Sequence, residues 1–205
     1  LVDPDGNVWV IDSGLCGDRE IVMTSPDSDE NVVALLGNTA RIVQITPDGT
    51  QTDVATLPSV LIENEASGGS RLAYLDGEIY ATSGNWVGSD YFSPQPLMAA
   101  IVNVSDVEFV EVDILLYVEV GEKPDGFGLD NNPYGLTVGP DGSLWVADAG
   151  ANALMHVDPS SGELNVITVF DGLPGPFPNP MRDSAMEMDP VPTAVAFDEN
   201  LNIYV

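Results

Sequence analysis

The stretch Tyr134-Gly135-Leu136-Thr137-Val138-Gly139-Pro140-Asp141-Gly142-Ser143-Leu144-Trp145-Val146-Ala147-Asp148 decides the fold. Apolar side chains alternate through Leu136 and Val138, stop at Gly139-Pro140-Asp141-Gly142, and resume at Leu144. Alternation with a period of two is a half-buried strand, and Asp-Gly between two such runs is a strong hairpin signal. The unit recurs as Val2-Asp3-Pro4-Asp5-Gly6-Asn7-Val8-Trp9-Val10-Ile11-Asp12 and, more loosely, as Leu72-Ala73-Tyr74-Leu75-Asp76-Gly77-Glu78-Ile79-Tyr80-Ala81. A fourth copy begins at Ala194-Val195-Ala196-Phe197-Asp198-Glu199-Asn200-Leu201-Asn202-Ile203-Tyr204.

A second hairpin follows each of the first three units. Residues 40–45 lead through Pro47-Asp48-Gly49 into 52–57, residues 100–104 turn near Asp106 into 109–120, and residues 153–157 turn at Ser160-Ser161-Gly162 into 164–170. Four antiparallel strands per unit, repeated about an axis, define an all-β β-propeller of four-stranded blades. The expected blades are 1–57, 70–120, 133–170 and an incomplete 192–205, about three and a half in all, within one partial propeller spanning 1–205. The chain opens and closes inside strand signals, so it reads as part of a longer propeller. No long 3.6-residue period occurs; short helical turns are expected only near 59–66 and 184–188.

Calling the strands of a blade a to d, the a–b and c–d turns are tight. The long pieces are the b–c connections (15–39 and 84–98) and the d–a connections (58–69, 119–132 and 171–191). In an up-and-down sheet both kinds emerge on one rim. Elaborated loops on a rigid scaffold are where binding usually resides, so this rim is the candidate functional face.

Composition narrows the partners. Of 205 residues, 33 are Asp or Glu and 5 are Lys or Arg, a net charge of -28, and Lys123 is the single lysine. Phosphate recognition uses clusters of Lys and Arg, which this chain lacks, so neither nucleic acid nor an anionic membrane surface is expected as a partner. No apolar run approaches the ~20 residues that span a bilayer. Hydrophobic residues make up 44%, enough for a core. Cys16 alone cannot form an internal disulfide, and His156 alone cannot form a two-histidine mechanism.

Three blocks carry a family resemblance. They are Asn131-Asn132-Pro133-Tyr134-Gly135-Leu136 preceded by Pro124-Asp125-Gly126; Val146-Ala147-Asp148-Ala149-Gly150-Ala151-Asn152-Ala153-Leu154 followed by a Val-Asp-Pro turn; and Val191-Pro192-Thr193-Ala194-Val195-Ala196 after a proline-rich linker with Met181, Met186 and Met188. In order and spacing they resemble the ScyD/ScyE-type family of bacterial propellers, within the NHL-like class. The resemblance implies a secreted or periplasmic propeller of six-bladed type without an established catalytic residue. Relatives often carry a second cysteine near the end of the first b–c insertion; Ala34-Leu35-Leu36-Gly37 has none, which leaves Cys16 unpaired.

The superfamily also holds metal-dependent, gluconolactonase-like hydrolases, whose axial ligands resemble Pro-Asn-Gly and Pro-Asp-Gly motifs. Here Tyr134 stands in the first motif, Thr193 in the second, and Ser70 at the matching strand start, a poor set for a hard cation. Streptogramin lyases share the Gly-Pro-Asp-Gly-x-Leu-Trp pattern and need an axial histidine base. His156 lies instead on a third strand between Met155 and Val157 and reads as a packed or edge residue. Asp12 and Asp148 end second strands, where a short carboxylate accepts backbone N–H bonds and fixes the turn. Trp9 and Trp145 hold equivalent positions and read as packing between blades. Asp27, Asp29 and Glu30 form a weak calcium candidate in the first insertion.

The expectation is therefore an extracellular, non-catalytic binding or scaffold propeller with no catalytic residue and no cofactor beyond possible calcium. Ser70, Asn132, Tyr134 and Thr193 should ring the channel mouth and suit a small neutral polar or aromatic ligand, or a protein. Tyr134 either forms part of that binding surface or plugs the channel. The alternative is a gluconolactonase-like hydrolase whose metal ligands lie partly in blades outside this chain.

Overall fold

Antiparallel pairing between neighbouring strands organises the computed structural model, which describes residues 1–24, 30–62, 64–84, 86–87, 96–106, 110–113, 130–179 and 182–205. Lys123, the block Pro124-Asp125-Gly126, Asp27, Asp29 and Met181 lie outside these residues.

The first sheet contains β1 (Val8–Asp12), β2 (Arg19–Thr24), β3 (Asn31–Ile45), β4 (Gln51–Ile62) and β5 (Glu65–Ser67). Strand β1 lies along the second half of β3, from Val8 opposite Ile45 to Asp12 opposite Arg41, and an isolated bridge joins Val2 to Val8. The first insertion, expected as loop, is largely strand. Strand β2 pairs with the first half of β3, from Arg19 opposite Leu36 to Thr24 opposite Asn31. The far end of β4 continues alongside and pairs with β5, so 59–62 and 65–66 are strand and not helix. Ile21, Met23, Ala34, Leu36, Val60 and Ile62 alternate inward and bury a small core of their own. A period-two apolar pattern that can close a core outweighs local helical preference.

Four strands form the second sheet. After β6 (Gly69–Leu75) and β7 (Glu78–Ser83), a short β8 (Trp86–Val87) leaves the sheet, which then resumes with β9 (Ala100–Asn103) and β10 (Val110–Asp113). A 3-10 turn, Val104–Asp106, follows β9. Strand β11 (Asp130–Asn131) pairs with β8. In the third sheet β12 (Pro133–Val138), β13 (Leu144–Asp148), β14 (Ala153–Val157) and β15 (Leu164–Val169) meander in chain order. A ribbon of β16 (Leu173–Asn179) and β17 (Ala185–Met188) follows, so 184–188 is also mostly strand. The hairpin of β18 (Ala196–Phe197) and β19 (Ile203–Tyr204) opens the fourth unit.

The cores lie between sheets. Ile42 and Leu57 of the first meet Ile79 and Val102 of the second, with Trp9 at the edge. Ala73, Tyr80 and Ile101 of the second meet Leu136, Val146 and Met155 of the third. Ala147 and Leu154 of the third meet Val195 beside the last hairpin, flanked by Trp145. Strand β6 packs against both β1 and β12. Sheets stacked face to face in chain order, with their first strands innermost, are the blades of a β-propeller. Met98 and Ala99 of the second insertion enter the small core of the first, so the two elaborations pack together on one rim.

The repeat is fixed by turn chemistry. Asp3 accepts the backbone N–H of Asp5 (3.0 Å) and Asn7 (2.9 Å), the Asn7 amide (2.8 Å) and the Trp9 indole N–H (2.8 Å). Asp198 repeats this with Asn200 (2.8 Å), Asn202 (2.9 Å), the Asn202 amide (2.8 Å) and the Tyr204 hydroxyl (3.2 Å). An aspartate that mimics a backbone turn in this way fixes the hairpin locally. Gly139 occupies the matching position of the third unit, and any side chain there would overlap the Trp145 indole nitrogen.

Candidate functional site

The starts of β6 and β12 are both irregular. Pairing of β6 with β7 shifts between Gly69 and Leu72, and pairing of β12 with β13 shifts between Pro133 and Gly135. Ser70 and Arg71 therefore stand in one bulge and Tyr134 in the other. A bulge turns side chains out of the regular pleat, and such bulges recur beside functional sites. Here they bring two strand starts together: the Arg71 guanidinium carbon lies over the Tyr134 ring, 5.2 Å from its centroid. The bulged backbone is held by the Arg71 N–H, which donates to the Thr82 hydroxyl at 3.0 Å. Ser13 ties in the neighbouring blade by donating its hydroxyl to the Gly69 carbonyl at 3.1 Å. On the other side, a Cβ at Gly135 would lie 2.9 Å from the Ala194 Cα, so only glycine lets the third and fourth units approach this closely.

Of the four residues expected at the mouth, Tyr134 makes the contact with Arg71 and Ser70 precedes Arg71 in the chain, and both are partly buried. Thr193 is exposed, one residue from the Ala194–Gly135 approach. Asn132 is fixed through its backbone: its N–H donates to Asp148 Oδ1 at 2.9 Å and its carbonyl accepts the Ala149 N–H at 2.8 Å. Arg71 is absent from the sequence-based ring. Its one sequence signal is a cation beside Ser70 on an inner strand of a chain with five basic residues.

Asp148 is fully buried and anchors the loop that frames this region. Its Oδ1 accepts N–H groups from Asn132 (2.9 Å), Gly150 (3.0 Å) and Ala151 (2.9 Å), while Oδ2 has no hydrogen-bond partner among the described residues. Burial, reinforced by the neighbouring Asp130 charge and opposed by those N–H bonds, pushes its pKa up to about 6. Asn131 beside it is buried, with neither amide atom partnered among the described residues. Asp12 plays the turn-fixing part in the first sheet. It accepts the Gly14 N–H at 2.7 Å and the Arg41 guanidinium at 3.1 Å, and these bonds hold its carboxyl below the usual range.

His156 lies at the opposite end of the third sheet, where its Nε2 sits 2.9 Å from Asp141 Oδ2 and its ring packs edge-on to Trp145 at 5.0 Å. Ser143 donates its hydroxyl to the other oxygen of the same carboxylate. The Ser143 and His156 contacts together hold the Asp141 carboxyl well below its ordinary range. The carboxylate stands between serine and histidine, so the histidine does not reach the hydroxyl as a nucleophile's base does. The sequence reading missed this pair, which depends on Trp145 standing opposite His156 in the β13–β14 register.

Trp145 also meets Phe197 edge-on at 5.4 Å, as packing between units requires. Cys16 is free, and the Cys16–Gly17 backbone crosses β3 at Gly37: a Cβ on Gly37 would lie 2.6 Å from the Gly17 Cα. Glu30, the described member of the calcium candidate, is exposed. Among the described residues no group of three or more His, Cys, Asp or Glu side chains is placed to hold a metal ion, and no helix is long and apolar enough to cross a membrane.

No family model matches the chain. Among curated proteins, a gluconolactonase of Zymomonas mobilis subsp. mobilis is 52% identical over 33 residues, covering 16% of this chain and 9% of that protein. Among solved structures, a catalytically inactive virginiamycin B lyase from Staphylococcus aureus with quinupristin aligns over 96% of this chain and 81% of its own, at 13% identity and a TM-score of 0.35.

Proposed function

We propose that this chain belongs to a non-catalytic binding propeller of the ScyD/ScyE type, secreted or periplasmic, whose ligand sits at the mouth formed by the starts of the inner strands. The paired bulges carry this reading. Two inner strands leave regular pairing at their first residues and bring Arg71 onto Tyr134 with Ser70 beside them. The ligand class is a small polar or aromatic molecule, which Ser70, Thr193 and the Tyr134 ring are suited to meet. Tyr134→Ala in the complete protein tests the site. Loss of ligand response with an unchanged fold supports it; a lowered melting temperature with every response intact assigns Tyr134 to plugging the channel instead.

A second reading has a specific support: the short segment shared with the gluconolactonase favours a metal-assisted hydrolase whose ligands lie partly beyond this chain. Calorimetric titration of the complete protein with calcium, zinc and manganese separates the two. A stoichiometric cation removed by Ser70→Ala or Thr193→Ala favours the hydrolase. A stoichiometric calcium ion removed by Asp27→Asn or Asp29→Asn leaves the binding propeller in place and gives it a structural ion in the first insertion.

A further inference from the structure

The mouth carries a cation, Arg71, that no carboxylate among the described residues answers. Among the described residues, Arg41 lies against Asp12 (3.1 Å) and Asp53 (3.6 Å), and Arg182 against Asp189 (2.7 Å) and Glu187 (3.7 Å). Arg71 has no carboxylate partner among them, in a chain where acids outnumber bases 33 to 5. One face of its guanidinium is taken by Tyr134. Its Nη1 makes one long bond of 3.3 Å to the Ser70 carbonyl, and the other donors of the fork meet no acceptor among the described residues. Stacking on an aromatic ring fixes the plane of a guanidinium while leaving its edge open. An open, oriented edge is the geometry that receives a carboxylate through two parallel bonds.

We propose that Arg71 is the anion-recognition residue of the mouth and that the ligand is a small organic monocarboxylate with an aromatic or hydroxylated body. This rests on the binding-mouth reading above and names its ligand class. The body of the ligand meets the Tyr134 ring and the hydroxyls of Ser70 and Thr193, while the carboxylate takes the Arg71 edge. A net charge of -28 selects against more highly charged anions such as phosphate, because a single guanidinium cannot offset a second negative charge in that field. Neither the composition nor the repeat pattern points to this charge, since it depends on two bulges facing one another.

The test is a chemical-shift titration of the isotope-labelled chain with phenylacetate, its neutral isostere phenylacetamide, and inorganic phosphate. Phenylacetate is expected to shift residues 70–71, 134–135 and 193–194 and to bind about tenfold more tightly than the amide. Arg71→Gln is expected to abolish that preference and leave amide binding within about twofold; Arg71→Lys, which keeps the charge but loses the planar fork, should retain only part of it. Equal binding of acid and amide to the wild type overturns the proposal, as does an unchanged preference in Arg71→Gln. Phosphate binding tighter than phenylacetate binding overturns the ligand class. Absence of any shift at the mouth with all three probes overturns the binding-mouth reading as well. Should Arg71→Gln prove poorly folded, the acid-to-amide ratio in wild type and Arg71→Lys still decides.

Discussion

Replacing Asp148 with asparagine should remove a pH dependence that the fold builds into its third sheet. The side chain is fully buried, three backbone N–H groups point at Oδ1, and Oδ2 has no hydrogen-bond partner among the described residues. Its pKa rises from 3.8 to about 6, mainly through burial. Between these values the folded chain holds a proton that the unfolded chain has released. Stability from this group is therefore complete below about pH 4 and is lost as pH rises through about 6. That rise corresponds to roughly 3 kcal/mol. Asp3, Asp12, Asp48, Asp141, Asp158 and Asp198 act the other way: each carboxyl is held low by hydrogen bonds, contributing stability present above about pH 4 and lost below it. The wild type should thus be most stable at about pH 4–5, more acidic than most domains. Asp148→Asn keeps an oxygen for the three N–H donors and cannot ionise. Urea unfolding followed by tryptophan fluorescence at half-unit steps from pH 4 to 8 measures both. The wild-type curve should fall by about 3 kcal/mol relative to the variant between about pH 4 and 7. Curves that stay parallel within about 0.5 kcal/mol would refute the assignment.

Other substitutions probe the packing. Gly37→Ala places a methyl group against the Gly17 backbone, and overpacking of this kind should lower stability by about 1–3 kcal/mol in the same assay. A loss below about 0.5 kcal/mol would mean that the 15–18 segment yields freely. Leu57→Ala empties part of the core between the first two sheets and should cost about 2–5 kcal/mol, read from the shift in urea midpoint at constant slope. Asp198→Ala removes four acceptor contacts from an exposed turn, so protection of the Asn200 and Asn202 amides from hydrogen exchange should fall while the third sheet stays protected.

The hairpin at 134–148 is legible in sequence because its signals are local: alternation on both sides of an Asp-Gly turn leaves one register. The β2–β3 extension is not. Its strands run from Arg19 to Thr24 and from Asn31 onward with no Asp-Gly turn between them, so the segment carries no hairpin signature. Ser59-Val60-Leu61-Ile62 is too short an apolar run for periodicity to separate strand from helix; pairing with Leu36 and Ala34 decides it. For the proposed mouth, sequence position places Ser70 and Tyr134 at strand starts. The meeting of Arg71 with Tyr134 depends on two register shifts, which are properties of the paired backbone and leave only Gly69 and Gly135 as traces. The Asp141–His156 contact likewise joins a turn to the third strand through the register of two others.

The placement of the cores between sheets has an evolutionary side. A unit whose apolar residues are answered by its neighbour can be copied whole, because the duplicate brings both halves of the same joint. After copying, each joint drifts by itself. The indole that leans on Asp3 in one unit has, in another, moved over Gly139 and found His156 and Phe197 as company. Divergence of this kind changes one seam and leaves the next untouched, so one pair of inner strands can change the residues it exposes while the other blades keep their fit.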